Sequence, residues 1–259
     1  MMPNRRSFLA RLLALPVLAR FSRAEEEAAA GEWSPAFKAG EKLTYSLGWQ
    51  FIVAGHATME VLPDEQWDGR KIRSFKMTAR TGKVADAIFK VRNDLSSLAE
   101  YDVSRSLGYA KMQREGNTKR HVTVDFDWEN LNAHYYEALG NDARTTPILA
   151  NTLDPLSAFY FVRNQKLEVG TVLEGPLTDG KRCKVSRIEV VERETIKVNG
   201  REYDALKLIP DIQDVGGVFE ESKDGKTIIW CTADHRHIPV LLKSKVAIGS
   251  FRAELETEI

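Results

Sequence analysis

Leu43-Thr44-Tyr45-Ser46-Leu47-Gly48-Trp49 sets a large apolar side chain at every second position, with polar or small residues between. Successive side chains of an extended chain point to opposite faces, so this spacing predicts a strand with one buried face. The same period of two recurs downstream. Ala57, Met59 and Val61 repeat it, punctuated by Pro63-Asp64 and Asp68-Gly69, and Arg73, Phe75, Met77 and Ala79 form the next run.

Further strands are expected near residues 93–101, 107–115, 119–127, 131–137, 171–177, 181–190, 192–198, 202–209, 218–221, 227–232, 237–246 and 251–258, whereas 140–147 breaks the pattern. Gly116-Asn117 and Asn199-Gly200 are hairpin signals, because tight turns of this kind need positive φ angles. Asp224-Gly225 and Ala233-Asp234 supply later turns. Two helices interrupt the series. Val84, Ala87, Ile88 and Val91 fit a short amphipathic helix over 83–90. Asp154-Pro155 opens the second, with Asp154 as N-cap and Pro155 at the first helical position. Many strands joined mostly by tight turns define an all-β class: a single large curved antiparallel sheet, barrel or half-barrel. The two short helices are expected on its concave side or plugging its open end.

The first 24 residues read differently. Arg5-Arg6 followed by Ser7-Phe8-Leu9, a short apolar run over 12–19 and Ser22-Arg23-Ala24 resemble a twin-arginine export signal with a small-x-small cleavage site. Asn4 and Arg11 depart from the usual pattern. Residues 25–36 are Glu- and Ala-rich and read as a flexible linker, which leaves 37–259 as a single β-rich domain. The expected partner during export is the twin-arginine translocase, and the expected location after cleavage near Ala24 is the periplasm.

Removing that signal discards five arginines and no acid, which leaves 32 basic against 37 acidic residues. A mildly acidic chain disfavours nucleic acid, which needs a concentrated basic surface. After the signal, no stretch approaches the roughly 18–20 apolar residues that span a bilayer, so no transmembrane anchor is expected. Hydrophobic residues make up 43% of the chain, enough for a sizeable core. Cys183 and Cys231 are the only cysteines. In an oxidising compartment they form either one disulfide or two separate buried thiols, and their spacing makes neither a redox motif nor a zinc site.

Several stretches together carry a family resemblance. They are Phe37-x-x-Gly40-Glu41-x-Leu43-x-Tyr45, then Trp49 and Ala54-Gly55-x-Ala57; Asp154-Pro155-Leu156-Ser157-Ala158-Phe159-Tyr160 with Arg163; Ile229-Trp230-Cys231-x-x-Asp234 with Ile238-Pro239-Val240; and Gly249-Ser250. In order and spacing they resemble the exported bacterial domain-of-unknown-function family 3108, over roughly 37–259. The resemblance implies a likeness in kind to curved β-sheet carriers of the lipoprotein-chaperone or lipocalin sort, which hold an apolar ligand against a concave face.

Catalytic signals are sparse. Neither GxGxxG nor a P-loop occurs, and Ser157 follows a helix start without a GxSxG elbow. His235 and His237 lack a visible third ligand, so no metal site is assigned. The acids Glu220-Glu221 and Asp211 with Asp214 read as loop surface. Asp154, Arg163 and Asp234 have structural roles as helix cap, dipole complement and turn former. No catalytic residue and no cofactor are therefore expected. The ligand-pocket candidates are Tyr45, Trp49, Phe75, Met77, Phe126, Phe159, Tyr160 and Trp230. They predict a periplasmic, non-enzymatic binding protein for a lipid, an acyl chain or another amphipathic envelope component. An enzyme or accessory factor acting on envelope polysaccharide, and a scaffold in an envelope assembly, are the alternatives.

Overall fold

The computed structural model describes residues 35–49, 52–211, 227–245 and 250–259. The expected export signal, almost all of the expected linker, the strand expected at 218–221 and the expected Asp224-Gly225 turn lie outside those residues. Fifteen strands are described: β1 (Lys42–Trp49), β2 (Ile52–Val61), β3 (Glu65–Trp67), β4 (Arg70–Thr81), β5 (Arg92–Glu100), β6 (Ser106–Glu115), β7 (Thr118–Asp127), β8 (Asn132–Glu137), β9 (Asp142–Pro147), β10 (Val172–Thr178), β11 (Cys183–Val198), β12 (Arg201–Asp211), β13 (Thr227–Thr232), β14 (Pro239–Lys245) and β15 (Ser250–Glu258). Among the described residues two helices join them, α1 (Lys83–Asp86) and α2 (Pro155–Arg163).

All strands belong to one antiparallel sheet in the order β10-β11-β12-β13-β14-β15-β1-β2-β4-β5-β6-β7-β8-β9, with β3 paired to β4 alone. The order is a meander whose first and last strands have been joined. Lys42 and Ile259 exchange backbone hydrogen bonds, each at 3.0 Å, and β15 runs beside β1. Among the described strands the sheet is therefore open only where the chain runs from β9 to β10. Residues 148–154 stitch that opening without closing a barrel. Leu153 makes a parallel bridge to Leu177, and Thr146 Oγ1 donates to the Gly180 carbonyl at 2.7 Å. Pro176 sits inside β10 at no cost to a ladder, because an edge strand leaves one row of N–H groups unpaired.

Three expectations are corrected in detail. β9 carries the sequence Asp-Ala-Arg-Thr-Thr-Pro with no buried residue, so an edge strand facing solvent on both sides shows no alternation. The expected break near residue 191 is a bulge within the single long strand β11, whose register with β12 shifts between Val190 and Glu192. The helix expected over 83–90 is one turn, α1, and buries nothing. Asp86 bonds Arg92 and Thr81, which holds the turn at the rim rather than against the concave face.

The core lies where α2 meets the concave face. Phe75 and Tyr160 stack with centroids 3.9 Å apart, and Phe37 meets both rings edge-on. The half formed by β5–β8 is filled by its own side chains, among them Tyr109, Val122, Val124, Ala133 and Tyr135. The tip of the β10–β11 hairpin presses on that filling. A Cβ at Gly180 would lie 2.7 Å from Val124 Cγ2 and 3.0 Å from Tyr135 Cδ2.

Candidate functional site: an apolar cavity beneath a pinned helix

Helix α2 is fixed at both ends by buried polar groups. At its start, Asp154 Oδ1 accepts the N–H groups of Leu156 at 2.8 Å and Ser157 at 3.0 Å. The other oxygen, Oδ2, accepts the hydroxyls of Ser97 at 2.5 Å and Ser106 at 2.6 Å. Asp154 is fully buried, and that burial raises its carboxyl above the usual range although the Ser106, Ser97 and Ser157 bonds pull it down.

At its end, Arg163 Nη1 and Nη2 donate to the two Glu41 oxygens at 2.6 and 3.0 Å, and Nε donates to the Arg236 carbonyl at 3.1 Å. Burial opposes the Arg163 charge, but the Glu41 bonds outweigh it and hold the guanidinium above its ordinary range. His237 Nδ1 lies 2.9 Å from the Arg163 carbonyl oxygen, so the ring N–H on that nitrogen donates. The backbone N–H of Ala36 donates to Asn164 Oδ1 at 3.0 Å. The helix is thus a fixed roof.

Beneath it lies a cavity of about 530 Å³ between α2 and the sheet half formed by β10–β15 with β1, β2 and β4. Its walls include Leu47, Met59, Leu208, Ile229, Leu241 and Phe251, with Leu156, Phe159 and Val162 above. On β1, β2, β4 and β13 the strand period explains why: alternate residues (Tyr45 and Leu47, Ala57 and Met59, Met77 and Ala79, Ile229 and Cys231) face the hollow, whereas β10 and β11 line its margin with consecutive residues. Tyr45 also lines it, its hydroxyl donating to the Pro239 carbonyl at 3.0 Å. Glu174 and Arg187, paired across β10 and β11, bring charge to one margin. Such a volume and lining suit an apolar ligand rather than polar chemistry. Among the described residues, no group of three or more His, Cys, Asp or Glu side chains could hold a metal ion.

Of the eight pocket candidates, Tyr45, Met77 and Phe159 line the cavity. The other five stand elsewhere. Phe75 and Tyr160 are consumed by stacking on each other in the core. Trp49, half-buried at the end of β1, lies outside the lining. Phe126 stacks on Trp128 at 5.9 Å. Trp230 alternates with the lining residues Ile229 and Cys231 and so faces the other side. There its indole N–H donates to Glu194 at 2.8 Å, and Lys207 and Lys243 lie over its ring. Leu47 and Met59 share strand faces with Tyr45 and Val61, a signal already present in their alternation. Glu41 had no such signal, because its partner is distant in sequence.

The two cysteines are free thiols, which corrects the disulfide alternative. The strand register sets Cys231 beside Leu206 and Leu206 beside Arg193, ten residues along β11 from Cys183. At ~3.3 Å per residue that is about 33 Å of strand, whereas a disulfide needs Cα atoms within about 7 Å.

Comparison with known proteins places the fold. The family model described as "Protein of unknown function (DUF3108)" matches residues 44–256. No curated protein is similar enough to match. Among solved structures, the chain is similar to a β-barrel-like protein of domain of unknown function DUF1849 from Brucella abortus. That likeness has 9% identity and a TM-score of 0.52, covering 85% of this chain and 97% of that one. It is also similar to a candidate exported protein with a YmcC-like fold from Bacteroides fragilis, at 10% identity and a TM-score of 0.37 over 88% of this chain and 98% of that one. A candidate lipoprotein from Parabacteroides distasonis gives 10% identity and a TM-score of 0.36 over the same shares.

Proposed function

The chain belongs to the DUF3108 family of proteins of unknown function, and from that premise we propose that it is a non-enzymatic binding protein for an apolar or amphipathic molecule of the cell envelope. The cavity between α2 and the concave sheet carries this reading. Burial of apolar ligand surface there would drive binding at about 25 cal/mol per Å². The rigid roof would spare the ligand the cost of ordering the site. The Arg5-Arg6 signal supports export by the twin-arginine translocase and a periplasmic location. No helix among the described residues is long and apolar enough to cross a membrane.

Glycoside chemistry would require two opposed carboxylates. Among the described residues the cavity lining includes a single one, Glu174. Asp214, Glu220 and Glu221 lie outside the described residues.

The test is displacement of a fluorescent fatty acid from the purified protein, with Ala57→Phe as comparison. Ala57 lines the cavity opposite Tyr45 and Ala79, so a phenyl ring there enters the ligand's space. Saturable binding by the wild type and its loss in a folded Ala57→Phe variant are expected. Equal binding by both, or none by the wild type, would contradict the reading.

A further inference from the structure

One rim of the sheet concentrates apolar and basic side chains that the cavity does not use. Because neighbouring strands are antiparallel, the end of β1, the start of β2, the end of β4 and the β6–β7 turn all reach this rim. Residues 82–90 are strapped across it. The Gly82 N–H donates to the Ala54 carbonyl at 2.8 Å, and the Gly116 N–H donates to the Lys90 carbonyl at 2.9 Å.

Five large apolar side chains stand out from this strap and the adjoining hairpin: Ile52, Val53, Val84, Ile88 and Phe89 are 45, 66, 81, 66 and 53% exposed. Singly exposed residues need no explanation, but a group of this size on one rim does. Phe89 is held in place, since a Cβ at Gly116 would lie 2.8 Å from its ring.

The charges around them are unbalanced. Lys83, Lys90, Arg114, Lys119 and Arg120 are all exposed on the strap and the β6–β7 hairpin. The two acids there are engaged: Asp86 pairs with Arg92 at 2.6 Å, and Glu115 accepts from Asn93 at 2.6 Å. This basic excess stands on a chain that is acidic once its signal is set aside.

We propose that this rim docks on the surface of an anionic lipid bilayer. Its apolar side chains are projecting knobs on a strap and at the start of β2, neither a groove for a helix nor a free strand edge. Knobs ringed by lysine and arginine match the boundary between acyl chains and anionic headgroups. The strap starts three residues after the cavity-lining Ala79, so the docked face stands beside the cavity. The proposal goes beyond ligand binding, because docking does not require the cavity to be filled.

Vesicle flotation of the full chain tests it, using phosphatidylcholine vesicles with and without phosphatidylglycerol. Two variants are compared with the wild type, Val84→Asp/Ile88→Asp and Lys83→Glu/Lys119→Glu. All four side chains are exposed, and unchanged thermal unfolding checks the fold. The N-terminal apolar run is common to all three proteins, so flotation that all three share is not credited to the rim.

Wild type should float with the anionic vesicles. The apolar variant should partition at least about tenfold less. The charge variant, and wild type in about 0.5 M salt, should partition several-fold less. Variants that float as well as wild type, or a wild type that does not float, overturn the proposal. So does a dimer dissolved by Val84→Asp/Ile88→Asp with flotation unchanged, which would assign the rim to a second copy of the chain.

Discussion

Arg163 and Glu41, 122 residues apart in sequence, meet in a two-point ion pair at the end of α2. Their side chains are 2% and 7% exposed, so the pair is held out of water. It ties the N-terminal edge of β1 to the helix that roofs the cavity. Removing one partner strands the other charge in the interior. Glu41→Leu should therefore cost about 3–5 kcal/mol, read as a lower urea midpoint at unchanged slope. Glu41→Leu/Arg163→Met should recover much of that loss, because two apolar side chains leave no stranded charge. A double variant as unstable as the sum of both singles would show that the two residues act independently.

Asp154 carries a pH dependence whose sign follows from its raised carboxyl. The folded protein holds that proton more tightly than the unfolded chain. Its contribution is therefore most favourable in acid and declines as pH rises from the ordinary carboxylate value through the raised one. Asp154→Asn keeps Oδ1 as the cap acceptor and removes the charge. It should match or exceed wild-type stability at neutral pH and flatten the decline. Asp154→Ala also loses the cap and removes the carboxylate that accepts the Ser97 and Ser106 hydroxyls, at about 2–4 kcal/mol. Urea unfolding at a series of pH values separates the three proteins. An Asn variant as unstable as the Ala variant at neutral pH would contradict this assignment.

Much of the architecture was legible because a half-buried sheet writes its inward face into every second residue. Tyr45, Met77 and Ala79 could be placed on one face from the alternation alone, and Asp154-Pro155 marked the start of α2. What failed had local physical causes. β9 has no buried side to announce itself, and the apolar spacing of Val84 and Ile88 signals a buried stripe where the structure exposes both residues. The site was legible only in part. Large aromatics read as pocket walls in the sequence, yet Phe75 and Tyr160 satisfy one another by stacking, and smaller neighbours such as Leu47 and Ala253 line the hollow instead. The pairing of Glu41 with Arg163 is purely tertiary, and periodicity cannot show it.

The thiols should differ in reactivity. Burial pushes the Cys231 thiol up to about 12, which keeps it protonated and shielded at neutral pH. Cys183 is partly exposed at the start of β11. A thiol reagent should therefore label Cys183 in the native protein and reach Cys231 only on unfolding. The intact mass of the purified protein should show both sulfurs reduced or singly modified. A mass two hydrogens lower, with no reactive thiol after unfolding, would contradict the free-thiol assignment.

Gly180 should resist substitution for two reasons that add. Its φ is +91°, a conformation other residues rarely adopt, and its missing Cβ makes room for Val124 and Tyr135. Gly180→Ala should lower stability by about 1–3 kcal/mol. Gly175, in open surroundings on the same hairpin, should tolerate alanine with a change within about 0.5 kcal/mol. Equal costs at both positions would mean that the hairpin tip does not bear on the β7–β8 wall.

Native mass spectrometry of the protein isolated from the cells that make it, without detergent, asks whether the hollow under α2 is occupied. Wild type should retain a small apolar molecule that organic solvent releases, and Ala57→Phe should carry none. A bare polypeptide mass for the wild type, with no uptake of added fatty acid or phospholipid, would contradict a ligand-binding role.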